Sequence, residues 1–223
     1  MEEQEIINIV ENENDEKILS HINTLLDKSK NLAKESDYLG IVLILIFLLY
    51  YIVQYSKLGS IQIGPILIED LNTINIFSPL AFSFVIFRYV LISSHKADIH
   101  KTIELYSQYF YKINKKKLKN NHVQLDDFTR SILPFSIYSE LNNIAFKGKS
   151  KLGCFGAIII FPLSLILIFL PFYIEFLMIK NSLLLWNEIN YIGKTSIIFS
   201  IWLVIISIYF PIHKMIITIK SVN

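Results

Sequence analysis

Lys112, Lys115, Lys116, Lys117 and Lys119 follow directly on Tyr106, Tyr109, Phe110 and Tyr111. Positive charge beside aromatic faces is the chemistry that holds nucleotides or single-stranded nucleic acid, the lysines meeting phosphates and the rings stacking on bases. Anionic lipid headgroups would attract the same lysines, so a membrane surface is the competing partner. A second group is acidic. Glu69 and Asp70 sit just ahead of an apolar run, where repetition around a symmetric ring would gather cations at a pore mouth, while a single copy would cap a helix. Ser78, Ser83 and Arg88 follow along that run as pore or gate candidates, although no single helical stripe holds all three. Arg88 lies five residues before the end of the run, so snorkelling to lipid phosphates accounts for it equally well. Glu175 is expected at an interface. Gln54 and the hydroxyls of Ser164, Ser196, Ser200 and Ser207 suit hydrogen bonds between helices.

The elements that must position these groups are four apolar runs, residues 38–55, 74–93, 153–179 and 195–212. At about 1.5 Å per residue, even the shortest covers about 27 Å, close to the hydrocarbon thickness of a bilayer. The 223-residue chain is 53% apolar and only 18% charged, with a mean hydropathy of +0.47, which agrees with a lipid-embedded core. The expected fold is therefore all-α, an integral membrane protein with four transmembrane helices and a small helical cytosolic domain. Pro162, Pro171 and Pro211 fall within the third and fourth runs and predict bends there.

Basic residues flanking the runs set the expected topology. The loop from His95 to Leu152 holds eleven Lys and Arg against five acidic residues, whereas the loop after the first run has only Lys57 and that after the third only Lys180 and Lys194. Both termini and the central loop are thus expected in the cytosol, with two short loops outside. The chain then divides into an acidic amphipathic helix (1–37), two spans with a short external loop (38–93), a basic helical domain (94–152), two further spans (153–212) and a cytosolic tail (213–223).

In the amino-terminal segment, Ile18, Ile22, Leu25, Ser29 and Leu32 recur every three to four positions, the spacing of a coiled-coil seam. This stripe is expected either to join copies of the chain in a homo-oligomer or to lie on the protein's own cytosolic face. The ten carboxylates of residues 1–37 include no apolar stretch among them, so the first span is expected to serve as its own insertion signal. Ile99, Ile103, Tyr106, Phe110 and Ile113 continue a helical period beyond the second run, predicting a single long helix that leaves the membrane and stops near Asn114. In the first external loop, Ile61, Ile63, Ile66 and Ile68 alternate about Gly64-Pro65, predicting a short strand or re-entrant turn.

Motifs for catalysis are missing from this reading. The sequence has no phosphate-cradling glycine loop and no metal-spaced set of Cys and His; His95 and His100 are five apart, His122 is isolated, and Cys154 is single. The expectation is a non-enzyme without cofactors.

Four spans, an acidic amino-terminal helix, the Ile63-Gly64-Pro65-Ile66 to Glu69-Asp70-Leu71 turn and a basic helical insertion give a plan that resembles small membrane effectors of bacterial antiphage defence. The plan is similar to that of the ion-channel effector of Hailong systems. In that family an oligomeric channel carries a cytosolic domain that binds a DNA oligomer, which holds the channel shut until infection removes it. The resemblance implies an oligomeric channel gated by a nucleotide or single-stranded DNA oligomer, and it assigns no binding residue. The alternative is a non-conducting scaffold that recruits a cytosolic protein partner through the acidic tail and basic loop.

Overall fold

The computed structural model describes residues 12–55, 61–63, 66–68, 71–110 and 151–222. Four long helices dominate: α1 (Asp15–Tyr55), α2 (Leu71–Phe110), α3 (Lys151–Leu184) and α4 (Tyr191–Val222). Among the described residues, α1, α2 and α4 are each long and apolar enough to cross a membrane. The all-α expectation is met with one addition, an antiparallel pair of strands, β1 (Ile61–Ile63) and β2 (Ile66–Ile68), in the register Ile61 opposite Ile68 and Ile63 opposite Ile66. The alternating isoleucines thus pair across two short antiparallel strands.

α1 begins after Asn14, whose side-chain oxygen accepts from the Glu16 N–H, the usual way to satisfy an orphan donor in a first turn. The amphipathic segment and the first apolar run, assigned to separate regions by composition, form one 41-residue helix. Gly40 is the sole strong helix breaker between them, and a lone glycine costs only about 1 kcal/mol. α2 likewise carries the second apolar run and the periodic segment after it in 40 uninterrupted residues. Its end at Phe110 falls short of Asn114, which lies outside the described residues.

The chain divides into two compact units, Met1–Ser36 with Ile92–Ser164, and Asp37–Leu91 with Leu165–Asn223. In the first, Ile18, Ile22 and Tyr106 form a buried cluster joined by Leu25, Leu26 and Leu105. The edge of the His21 ring meets Tyr106 with centroids 5.2 Å apart, a favoured aromatic geometry. The seam in the amino-terminal helix is therefore occupied, at least at these positions, by the part of the same chain's α2 that follows its apolar run.

The second unit reverses the water-soluble pattern. Tyr50, Phe82, Ile86 and Met178 form its apolar core, but Ser78, Ser83, Glu175, Ser182, Ser196, Ser200 and Ser207 are also buried. Large apolar side chains face outward instead: Ile41, Ile44, Leu48, Tyr51 and Tyr55 on α1, and Ile198, Trp202, Ile205 and Tyr209 on α4. Such faces are unfavourable in water and at rest in lipid, while small serines inside let helix backbones approach. Gly193 marks one tight approach, since a side chain there would lie 2.8 Å from Ile76 Cγ2 of α2 and would also strike Ile189. Helix length, composition and surface pattern are consistent with a multi-pass membrane protein.

Candidate intramembrane polar site

Glu175 projects from α3 and is fully buried. Ser200 Oγ on α4 donates to its Oε1 at 3.1 Å, and Ser83 Oγ on α2 lies 3.2 Å from Ser200 Oγ. A hydroxyl has one proton to give. Because Ser200 spends its own on Glu175, Ser83 is the donor to Ser200 whenever that contact is a hydrogen bond; its other acceptor is the Leu80 carbonyl at 3.1 Å. The carboxyl group of α3 thus receives one donor, from α4, with the α2 hydroxyl of Ser83 behind it. Glu175 Oε2 has no hydrogen-bond partner among the described residues.

Two turns along α3, a second polar group surrounds a cavity of about 150 Å³ lined by Tyr50, Gln54, Asn75, Asn181 and Ser182 with two leucines. Asn181 Nδ2 donates to the Tyr50 hydroxyl at 2.8 Å, and Ser182 Oγ reaches the Asn75 carbonyl at 3.1 Å and the Met178 carbonyl at 3.0 Å. Asn75 Oδ1 is buried and lacks a protein partner among the described residues. A space of this size with several polar walls accommodates a few waters.

The expected pore candidates distribute unevenly. Ser78 and Ser83 are buried inside one chain's helices, Ser78 donating to the Ile74 carbonyl of its own helix, whereas Arg88 is exposed on α2. Glu69 and Asp70 lie outside the described residues, as do Tyr111, Lys112, Lys115, Lys116, Lys117 and Lys119; Tyr109 falls in the last turn of α2. Among the hydroxyls expected between helices, Ser200 is so used, Ser207 bonds the Leu203 carbonyl of its own helix, and Ser196 Oγ is buried without a partner among the described residues. Glu175, expected at an interface, is instead enclosed, because its helix turns it toward Ser200 rather than toward the exposed faces of Tyr173 and Phe176. The Asn75, Asn181 and Tyr50 grouping went unread in the sequence. Its signal was two asparagines at the flanks of apolar runs, which interfacial placement explains as readily. No group of three His, Cys, Asp or Glu side chains able to hold a metal occurs among the described residues.

No family model, curated protein or solved structure matches this chain. Its chemistry must therefore be argued from its own residues.

In the first unit, Ser29 Oγ and His100 Nε2 are hydrogen-bonded at 2.9 Å, beyond the apolar run of α2. Burial, helped by the Lys96 charge, pushes the His100 pKa down to about 4 from 6.5. A base whose folded pKa lies below its unfolded value binds fewer protons when folded, so stability rises with pH between those values and is level above the upper one. Acidification from neutral to about pH 5 should therefore loosen residues 15–35, read as faster amide hydrogen exchange, with a smaller change in His100→Gln. An equal change in both proteins would remove His100 as the cause.

Proposed function

We propose that this chain is the subunit of a homo-oligomeric ion channel or pore of a bacterial inner membrane, gated by a ligand on its cytosolic helical region. The observation that carries this reading is Glu175, an ionisable side chain enclosed among lipid-facing helices and hydrogen-bonded by the Ser200 hydroxyl, which Ser83 in turn contacts. Ionisable groups are expensive in hydrocarbon, and they characteristically mark ion or proton routes. α3 is the fourth span in this reading, its 34 residues including the apolar run 153–179. Both termini and residues 94–152 are cytosolic, and the Tyr50–Asn181 cavity lies toward the outer side.

Ser78 and Ser83 face inward within one chain, so they serve the subunit's interior rather than a wall between subunits. The gating ligand is a nucleotide or single-stranded DNA oligomer held by Lys112, Lys115, Lys116, Lys117 and Lys119 with Tyr109 and Tyr111. An antiphage effector that collapses membrane potential is the biological role this reading favours, and no catalytic step belongs to it. Length supports the gating element: α2 continues for 17 residues past position 93, and a continuous helix transmits displacement.

Purified protein in liposomes tests the proposal. Loss of an imposed potential on adding or withdrawing oligonucleotide is the expected result, diminished in Glu175→Gln. Persistent electrical silence under every ligand condition would favour a non-conducting scaffold that recruits a cytosolic protein. Topology has its own measurement in a Cys154→Ser background: Lys117→Cys should react with reagent only from the cytosolic side, and Gln62→Cys only from outside. The reversed pattern would overturn the assigned orientation.

A further inference from the structure

Glu175 Oε1 receives the Ser200 proton, but Oε2 is buried with no partner among the described residues. An ionised carboxylate would leave Oε2 without a donor, and a neutral carboxyl would leave its O–H without an acceptor. Each charge state therefore calls for a small companion. Among the described residues, the side chains that approach its hydrogen-bonded oxygen are neutral: Ser200 of α4 and, behind it, Ser83 of α2. Lys180 on α3 and Arg88 on α2 are exposed.

Helical spacing connects this carboxyl with the cavity. Glu175, Met178 and Ser182 lie three and seven positions apart on one face of α3, placing Ser182 about 10 Å along the axis from Glu175. Met178, fully buried, stands between them, and its unbranched thioether changes rotamer easily. Asn75 Oδ1 and the Tyr50 hydroxyl give the cavity acceptors for water, with Asn181 already oriented by Tyr50.

We propose that Glu175 is an intramembrane proton-binding residue that exchanges its proton past Met178 with water held in the cavity bounded by Tyr50, Asn75, Asn181 and Ser182. A hydronium ion in the cavity gives a proton to the Glu175 carboxylate, leaving water and a neutral carboxyl, and the return step regenerates hydronium. Ser200 holds Oε1, with Ser83 against the Ser200 hydroxyl, so Oε2 is the atom that carries the proton. The geometry favours a proton over a metal cation because Glu175 does not line the cavity and the described residues include no group of three His, Cys, Asp or Glu side chains able to hold a metal. This deepens the ion-conduction reading of the same residues. Its test is spectroscopic, so a protein that fails to conduct can still bind the proton, and a conducting one can fail to.

Infrared titration of the full-length protein in lipid bilayers reads the carboxyl directly. A protonated-carboxyl carbonyl band is expected that exchanges with a carboxylate band as pH changes, disappears in Glu175→Gln and moves in Ser200→Ala as the hydrogen bond to Oε1 is lost. Filling the cavity by Asn75→Leu should slow deuterium exchange of that band about tenfold or more. Identical spectra of the parent and Glu175→Gln at every pH would overturn proton binding. Conversion of the band to carboxylate by sodium or potassium at fixed pH would overturn it in favour of a metal cation, and an unchanged exchange rate in Asn75→Leu would overturn the cavity as the proton's source.

Discussion

Ile22→Asp is expected to release the amino-terminal part of α1 from its docking surface and to lower the stability of that packing by on the order of 3–5 kcal/mol. Ile22 is buried against Ile18 and Tyr106, so the substitution both removes apolar contacts and places a carboxylate in an apolar cluster. Loss of amide protection over residues 15–35, with the apolar runs still inserted in membrane, is the measurable outcome. Leu19 provides the comparison. It is 40% exposed one residue from the seam, so Leu19→Asp should change stability by no more than about 0.5 kcal/mol. Equal protection in Ile22→Asp and the parent would show that the helix does not dock as described. Native mass spectrometry of the same variants separates this internal contact from assembly, because a seam that also joins copies should give a smaller oligomer.

The second large effect concerns the central lysines. Reversing Lys115, Lys116, Lys117 and Lys119 to Glu exchanges four positive charges for four negative ones in a segment that follows Tyr106, Tyr109, Phe110 and Tyr111 in the sequence. If these lysines meet phosphates, the parent's affinity for single-stranded oligonucleotide should fall with salt at a log–log slope of about −3, from four contacts at about 0.7 each. The reversed protein should show no binding at any salt concentration, and in liposomes the oligomer-dependent loss of potential expected of the proposed channel should disappear. Retained oligonucleotide binding would remove the cluster from the ligand site. Loss of attachment to anionic vesicles, with oligonucleotide response intact, would instead assign the lysines to lipid.

Much of the architecture could be read locally. Hydropathy accumulates over a window, so the apolar runs at 38–55, 74–93 and 195–212 announced helices long enough for a membrane, and α1, α2 and α4 contain them. The alternation of Ile61, Ile63, Ile66 and Ile68 likewise contained its strand pair, because register follows the hydrophobic pattern. The period of Ile99, Ile103 and Tyr106 specified a helix continuing beyond the apolar run. Its partner was less legible, since the amino-terminal stripe suits a second copy and a neighbouring segment equally well. In the structure Ile18 and Ile22 meet Tyr106 of the same chain.

The polar interior depended on the third dimension. A glutamate near the end of an apolar run is compatible with a wet interface, and serine every few residues is compatible with several faces. Only the packing phase of α2, α3 and α4 brings Ser83, Glu175 and Ser200 together and groups Asn75 with Tyr50, Asn181 and Ser182. Sequence alone determined that this protein has membrane-compatible helices and a basic middle segment, because transfer free energy and charge bias are nearly additive along a chain. Tertiary structure decided which polar atoms are shielded from lipid and from one another, because each helix advances about 100° per residue and its inward face is set by neighbours far away in sequence.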